Sequence, residues 1–164
     1  MEAALDMANQ ALEEGDFPVG CVIVHQKSIV ATGKRENSSQ EVCNELDHAE
    51  IIALRKMCVA APDIPLNEVT LYSTMEPCLM CFSTLVVNGV RRVVYAYEDA
   101  MGGGTGLELN RLAPLYRDVH VEVVPDVLRA RSLELFNNFF AHDTSGYLKD
   151  SLLAKYTLAA HKNR

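Results

Sequence analysis

The chain has 164 residues, 49% of them hydrophobic and 23% charged, with a formal net charge of −7. This length suits one domain with a full hydrophobic core. The acidic balance weighs against a large nucleic-acid partner, because proteins that depend on phosphate contacts usually carry a basic surface. No apolar run approaches the ~20 residues that span a bilayer, and the N-terminus lacks a signal-peptide pattern. We therefore expect a cytoplasmic protein without membrane contact.

Helical spacing of apolar residues alternates with β-branched runs in the first part of the chain. This alternation predicts, in order, a helix over Glu2–Glu14, a hairpin of strands Val19–His25 and Ile29–Gly33, a polar loop over Asn37–Asp47 and a helix over His48–Val59. The second part predicts a strand over Val69–Thr74, a helix over Cys78–Asn88, a strand over Arg92–Tyr97, a glycine-rich loop over Gly102–Gly106, a short helix over Leu107–Leu112, a strand over Val119–Val124 and helices over Val127–Ala141 and Tyr147–Ala160.

This order of elements indicates the α/β class and a three-layer α/β/α sandwich with a mixed five-stranded sheet. The first hairpin is antiparallel, and the strands are parallel from Val69 on. We expect a single domain over residues 1–164, with residues 147–164 forming a C-terminal helical extension. That amphipathic extension is compatible with plain packing and also with closure of a pocket.

Two short motifs, each at a predicted helix start, carry most of the chemical information. They are His48-Ala49-Glu50 and Pro77-Cys78-Leu79-Met80-Cys81. One imidazole and two thiols give three protein ligands, which is the number expected of a catalytic zinc site with one open position. The sequence therefore predicts one Zn²⁺ per chain, bound by His48, Cys78 and Cys81.

Glu50 is the predicted catalytic residue. Zinc lowers the pKa of a bound water to about 7, and a nearby carboxyl group that is not a ligand can shuttle the proton. Residues two apart lie about 200° apart around a helix, so His48 and Glu50 reach one ligand together only at a helix N-terminus. We expect Asp47 to cap that helix, and Cys78 and Cys81 to lie in a first helical turn after Pro77.

Other interpretations of these motifs stay open. A lone C-x-x-C in a chain without disulfides is also typical of redox-active or simply buried cysteines. A structural zinc site would require a fourth protein ligand, for which Cys43 is the nearest candidate. A non-catalytic, zinc-stabilised interaction module is a remote alternative, and Glu50 argues against it because a structural site has no use for a shuttle carboxylate.

With these motifs the chain resembles the zinc-dependent cytidine/deoxycytidylate deaminase superfamily, in the branch of tRNA adenosine deaminases, guanine deaminases and fungal-type cytosine deaminases. The resemblance covers about residues 1–140, and Phe17–Val24 and Leu71–Cys78 are similar to the family's first and third strands. It implies a hydrolytic deaminase that converts an amino-substituted nucleobase, nucleoside or related heterocycle to the oxo product with release of ammonia. The alternative is a tRNA adenosine deaminase acting at the anticodon wobble position.

The resemblance also implies substrate contacts by Asn37, Ala49 and Asp99, and a homodimer. On pattern alone, Asn37 is more typical of a turn and Asp99 of a cap. Met101 stands where the tRNA enzymes tend to have lysine, and residues 141–144 are not basic, so these positions favour a small-molecule substrate over tRNA. A mild excess of lysine and arginine near the C-terminus favours tRNA as the alternative partner.

Overall fold

The computed structural model describes residues 1–38, 44–142 and 146–162. Its strands are β1 Gly20–His25, β2 Ser28–Lys34, β3 Thr70–Met75, β4 Arg92–Tyr97 and β5 Glu122–Val124. They form one sheet in the order β2–β1–β3–β4–β5. Strand β1 is antiparallel to β2 and β3, whereas β3, β4 and β5 are parallel to one another. The predicted mixed five-stranded sheet is thus confirmed.

The helices in the described part of the chain are α1 Glu2–Glu13, α2 Ala49–Ala60, α3 Leu79–Asn88, α4 Pro114–Arg117, α5 Arg129–His142 and α6 Leu152–Lys162. Helices α1 and α5 pack together, α2 and α3 pack together, and both pairs contact the sheet, which gives the predicted three layers. Among these described helices, none is both long enough and apolar enough to cross a membrane.

Three predicted elements differ most from the structure, and one short helix was not predicted. Helix α6 begins at Leu152 rather than Tyr147, because Leu148 (φ 53°) and Asp150 (φ 62°) have left-handed backbone that a right-handed helix does not admit. Strand β5 begins at Glu122 rather than Val119. The predicted helix over Leu107–Leu112 is reduced to a 3-10 turn at Leu109–Arg111, and the short α4, which has proline in its first turn, was not predicted.

Two glycines allow the helices that carry the motifs to lie close to their neighbours. A Cβ atom at Gly33, in β2, would lie 2.2 Å from the backbone oxygen of Ala49 at the start of α2. A Cβ atom at Gly104 would lie 2.7 Å from the carbonyl carbon of Cys78 at the start of α3. Larger residues there would push both helix starts outward, so the backbone of the glycine-rich loop lies close to the start of α3 at Gly104.

An aromatic cluster joins the end of the chain to the core. The Phe17 ring centroid lies 5.2 Å from those of Phe136 and Phe139, 5.9 Å from Phe140 and 5.4 Å from Tyr147. Such tilted and edge-on arrangements suit the charge distribution of aromatic rings. Phe139 and Phe140 are thus packing residues, and Tyr147 lies against Phe17, shortly before β1.

Candidate metal centre and active site

Both motifs lie at helix N-termini, as predicted. His48 is the N-cap of α2, and Cys78 is the N-cap of α3. Two details of the prediction are wrong. Asp47 does not cap α2, because its carboxylate instead accepts hydrogen bonds from the side-chain amides of Asn37 and Asn44, each at 2.7 Å. Cys78 is the N-cap of α3 instead of a residue of its first turn, so only Cys81 of the two cysteines lies within the helix.

The three predicted ligand side chains converge on one point. Their ligand atoms all lie within 4.8 Å of one another, and Nδ1 of His48 is 3.5 Å from Sγ of both Cys78 and Cys81. Tetrahedral zinc with Zn–N of about 2.0–2.1 Å and Zn–S of about 2.3 Å separates such nitrogen and sulfur atoms by about 3.6 Å. The residues therefore fit a zinc ion in both chemistry and spacing. Cys43, the candidate for a fourth ligand, lies outside the described residues.

The two cysteines have unequal proton affinities. A hydrogen bond from Cys81 lowers the pKa of Cys78 to about 4, although burial opposes this effect. The same hydrogen bond, together with burial, raises the pKa of Cys81. Burial lowers the pKa of His48, but the hydrogen bond to Cys78 and the nearby Glu50 raise it by more. The lowered pKa of Cys78 favours a thiolate at that position, and a bound cation would favour the second thiolate.

Glu50 lies beneath the ligands in the first turn of α2 and is 3% exposed. Its Oε1 accepts a hydrogen bond from the Ser73 hydroxyl at 3.1 Å, and its Oε2 is 3.5 Å from Sγ of Cys81. Burial raises the pKa of Glu50. A hydrogen bond from its own backbone N–H and the nearby His48 lower that pKa, but by less. A carboxyl group whose pKa is raised toward neutrality suits proton transfer in both directions.

A cavity of about 210 Å³ opens beside the ligands. Ala49, Glu50 and Asp99 lie in its wall together with His48 and Cys78. The other described residues that line it are Phe17, Val19, Arg35, Glu45, Met75, Glu76, Met101, Gly102, Tyr147, Leu148 and Leu153. The structure thus brings two of the three predicted substrate contacts, Ala49 and Asp99, to the same space as the metal ligands.

The two polar substrate contacts also have local hydrogen bonds. Oδ1 of Asp99 accepts the backbone N–H groups of Met101 and Gly102, both at 2.9 Å, so Asp99 caps a turn while it lines the cavity. Asn37 has left-handed backbone (φ 57°), and its amide donates to Asp47. Asn37 is not among the described residues that line the cavity.

Three polar residues of the cavity wall form a hydrogen-bonded group that was not predicted from the sequence: Arg35, Glu45 and Tyr147. Arg35 is 2% exposed, although it follows a strand in a polar stretch where arginine is usually solvated. Glu45 accepts hydrogen bonds from both Arg35 (3.2 Å) and Tyr147 (3.1 Å). No local pattern signals this grouping, because Tyr147 is 102 residues from Glu45 in the sequence.

The C-terminal segment, residues 146–162, covers one side of the cavity. Tyr147, Leu148 and Leu153 lie in its wall, so the segment lines the pocket as well as packing against the core. Helix α6 is attached to the end of β4 by two side-chain contacts. The Tyr97 and Thr157 hydroxyls are 3.0 Å apart, and the Tyr156 hydroxyl donates to Glu98 at 2.6 Å.

Residues 1–97 match the cytidine and deoxycytidylate deaminase zinc-binding region. The chain belongs to this deaminase family. The predicted superfamily and the predicted enzyme class, hydrolases of C–N bonds, are thereby confirmed. A tRNA-specific adenosine deaminase of Bacillus subtilis (strain 168) is 31% identical over 140 residues, which cover 85% of this chain and 86% of that protein.

Solved structures of the family extend the comparison to three dimensions. A structure from studies of A-to-I editing by tRNA:A34 deaminases at the wobble position of transfer RNA is 28% identical, with a TM-score of 0.68, and covers 82% of this chain and 96% of that chain. A guanine deaminase from Bacillus subtilis is 32% identical with a TM-score of 0.52, and the match covers 59% of this chain and 61% of that chain. Similar identity to deaminases of a tRNA base and of a free base leaves the substrate to be argued from the cavity.

Proposed function

We propose that the protein is a zinc-dependent hydrolytic deaminase that converts a small amino-substituted ring to its oxo product with release of ammonia. His48, Cys78 and Cys81 hold the zinc ion, with one ion per chain. When bound, zinc lowers the pKa of a coordinated water to about 7 and polarises it for attack on the ring carbon. The convergence of an imidazole and two thiols beside a buried carboxyl group supports this proposal.

Glu50 moves the proton in the proposed reaction. It accepts a proton from the attacking water as the C–O bond forms and donates it to the ring nitrogen. It then takes the remaining proton of the added hydroxyl and donates it to the amino group, so that the C–N bond breaks, the carbonyl forms and ammonia leaves. Ser73 holds one carboxylate oxygen at 3.1 Å, and the other oxygen remains beside the cysteine ligand. Burial keeps bulk water from competing for the proton, and the raised pKa of Glu50 lets it act first as base and then as acid.

The C-terminal segment, residues 146–162, is the observation that favours a small substrate, and it is called the cover of the cavity below. Tyr147, Leu148 and Leu153 leave a cavity of about 210 Å³, below the range of about 300–1,000 Å³ that is typical of drug-sized ligands. A free nucleobase or a comparable heterocycle suits that volume better than a base attached to a folded RNA does. Ala49 and Asp99 are the proposed contacts to the ring. Asn37 is a third proposed contact. To reach the substrate, its side-chain amide would have to give up its hydrogen bond to Asp47.

The charge of the cavity wall points to a neutral or weakly basic ring. Four carboxylate residues and one guanidinium line the space: Glu45, Glu50, Glu76, Asp99 and Arg35. The chain as a whole has a net charge of −7. Phosphodiester groups are bound by lysine and arginine. The excess of carboxylates in the cavity wall therefore disfavours a polynucleotide at the cavity mouth.

A second candidate is deamination of adenosine in tRNA. The observation that favours it is the similarity to tRNA-specific adenosine deaminases, such as the Bacillus subtilis protein at 31% identity. Such enzymes must take the target base out of its stack and into the pocket. This candidate would require Tyr147 and its neighbours to move away from the cavity mouth when RNA binds.

Ammonia release by the zinc-loaded protein tests the substrate class. The substrates are cytosine, guanine, adenine, their nucleosides, an amino-triazine and an anticodon stem-loop RNA. We expect release from a small ring and none from the RNA, and release from the RNA alone would reject the small-substrate proposal. Glu50→Gln is the control, because it should retain zinc while turnover falls at least about 10²-fold, the lower end of general acid–base contributions.

We also propose that the protein acts in the cytoplasm as a homodimer. Large apolar side chains are exposed beside and along α2 and α3, namely Leu46, Val59, Leu79 and Val87. Covering such side chains by a second copy would remove apolar surface from water. Sedimentation velocity at micromolar concentration tests this, and a monomer would contradict the proposal.

A further inference from the structure

The two ring nitrogens of His48 face different partners. Nδ1 is 3.5 Å from both cysteine sulfurs, whereas Nε2 is 3.3 Å from Oε2 of Glu45. An imidazole that binds a cation through Nδ1 carries its proton on Nε2, which must then donate to an acceptor. Glu45 is in place to be that acceptor. A carboxylate on the outer nitrogen of a ligand histidine fixes the tautomer and the ring orientation.

A buried positive charge holds the Glu45 carboxylate in place. Arg35 is 2% exposed, and its Nη2 donates to Oε2 of Glu45 at 3.2 Å while its Nη1 donates to the backbone oxygen of Asn44 at 2.8 Å. The side chain of Glu45 is itself 57% exposed and would otherwise sample several rotamers. Pairing with a buried, hydrogen-bonded guanidinium favours the rotamers of Glu45 that reach His48.

The same carboxylate also contacts the C-terminal segment. The Tyr147 hydroxyl donates to Oε1 and Oε2 of Glu45, at 3.2 and 3.1 Å, and it accepts a hydrogen bond from Nη2 of Arg35 at 3.5 Å. The Tyr147 ring meanwhile packs in the aromatic cluster and lines the cavity. Through Glu45, one hydrogen-bonded group therefore connects the candidate metal ligand with the cover of the cavity.

We propose that Glu45 is a positioning residue that orients the His48 imidazole for the metal ion and links it to the C-terminal cover through Tyr147. This inference rests on the zinc centre of the proposed function. It assigns to Glu45 a role that lies outside the two motifs. Metal affinity and cover position then depend on each other, because each stabilises the same orientation of Glu45.

Zinc affinity, measured by competition with a chromogenic chelator on the full-length protein, tests the role of Glu45. We expect Glu45→Ala to weaken zinc binding about 10- to 100-fold, the usual effect of losing a residue that orients a metal ligand. Glu45→Gln keeps an oxygen that accepts from His48 and should lose less. Glu122→Ala is the matched control, because Glu122 is also 57% exposed and also pairs with an arginine, but lies on β5. It should bind zinc as the parent does.

A second pair of variants tests the link to the cover. Tyr147→Phe removes the hydroxyl that donates to Glu45 and should weaken zinc binding by less than Glu45→Ala does. Tyr156→Phe removes a hydroxyl of the same segment that donates to Glu98 and not to Glu45, so it should weaken zinc binding by less than Tyr147→Phe does. In the double variant of Glu45 and Tyr147 the two effects should not add, because Tyr147 acts through Glu45.

Two further readouts separate this role from a general loss of stability. The melting temperature of the zinc-free Glu45→Gln protein measures the stability that is lost with the charge pair to the buried Arg35, and the visible spectrum of the cobalt(II)-loaded variants should shift, since it reports ligand geometry. Unchanged zinc affinity and an unchanged cobalt spectrum in both Glu45 variants would overturn the inference. If the parent chain itself binds no zinc, the metal centre of the proposed function fails, which is a different result.

Discussion

The metal centre and the cover of the cavity are built in different ways. His48 and Cys78 are N-caps of helices whose positions are fixed by backbone contacts at Gly33 and Gly104. The cover, residues 146–162, is attached through side chains, chiefly the hydroxyls of Tyr147 and Tyr156 and the buried Leu153. Backbone contacts tolerate little change without rearrangement of the fold, whereas side-chain contacts can be altered one at a time.

The two regions also differ in how they relate to the family. The match to the deaminase zinc-binding region spans residues 1–97 and includes the three candidate ligands and Glu50. The cover lies beyond that match. The chemistry shared by the family is thus associated with the metal centre. The choice of substrate, as we propose it, is associated with the cover. Variants in each region should therefore fail in different ways.

The largest effect is expected from a change in the metal centre. Cys78→Ser removes one of three ligands, so zinc content should fall from one per chain to near zero. A ligand present at 1,000 times its Kd stabilises the folded state by about 4 kcal/mol. Losing that stabilisation should lower the Tm by about 8–16 °C, at about 2–4 °C per kcal/mol for a chain of this size. Elemental analysis and calorimetry measure the two quantities.

Cys58→Ser is the control for this change, because Cys58 is an exposed cysteine in α2. It should keep both the zinc content and the Tm of the parent. A full equivalent of zinc in Cys78→Ser would show that the ligand set is wrong.

The sequence was sufficient to predict that His48, Cys78 and Cys81 come together at two helix starts. The reason is that both signals are local. His48 and Glu50 are spaced so that they point the same way only at a helix N-terminus, and Pro77 before Cys78 indicates a second helix N-terminus. The sheet was equally accessible, since its strands are short β-branched runs between polar or glycine-rich loops. Only boundaries such as the start of β5 differed.

Arg35, Glu45 and Tyr147 could not be predicted in the same way. Arg35 stands between Lys34 and Glu36, a stretch that resembles a solvated loop, and its burial results from neighbours distant in the sequence. The start of α6 was also missed, because left-handed backbone at Leu148 has no signature in residue type. Periodicity reports which face of an element is apolar, but it does not report which polar side chains meet across the fold.

A change in the cover should have a moderate effect, on stability and on substrate binding together. Leu153 is 1% exposed and lies in the cavity wall. Leu153→Ala should lower the free energy of unfolding by about 2–5 kcal/mol, as is usual for a buried leucine, and raise KM for the small ring. Zinc content should not change. Urea unfolding, steady-state kinetics and elemental analysis measure these effects.

Leu152→Ala is the neighbouring control, because Leu152 is 59% exposed. It should change the free energy of unfolding by no more than about 0.5 kcal/mol, as for other surface substitutions. An unchanged KM in Leu153→Ala, in protein that is destabilised as expected, would mean that the cover is only a packing element.

The smallest effect is expected from pH at the attachment of α6. Burial raises the pKa of Glu98, but hydrogen bonds from Arg129 and Tyr156 lower it by more, so its pKa in the folded protein lies below the ordinary 4.5. A carboxylate with a lowered pKa contributes stability above its unfolded pKa and loses that contribution as pH falls through its folded pKa. Glu98→Gln should therefore cost about 1 kcal/mol at pH 7, within the usual range for a hydrogen bond, and progressively less below about pH 4.5.

The measurement is the difference in free energy of unfolding between Glu98→Gln and the parent, followed from pH 7 to pH 3. Glu108→Gln is the control, since Glu108 pairs with Arg111 in an exposed turn and should show little difference at any pH. A Glu98→Gln difference that stays constant with pH would show that the carboxylate charge does not hold α6 to β4. The attachment of α6 would then rest on the buried Tyr97–Thr157 contact and on the packing of Leu153.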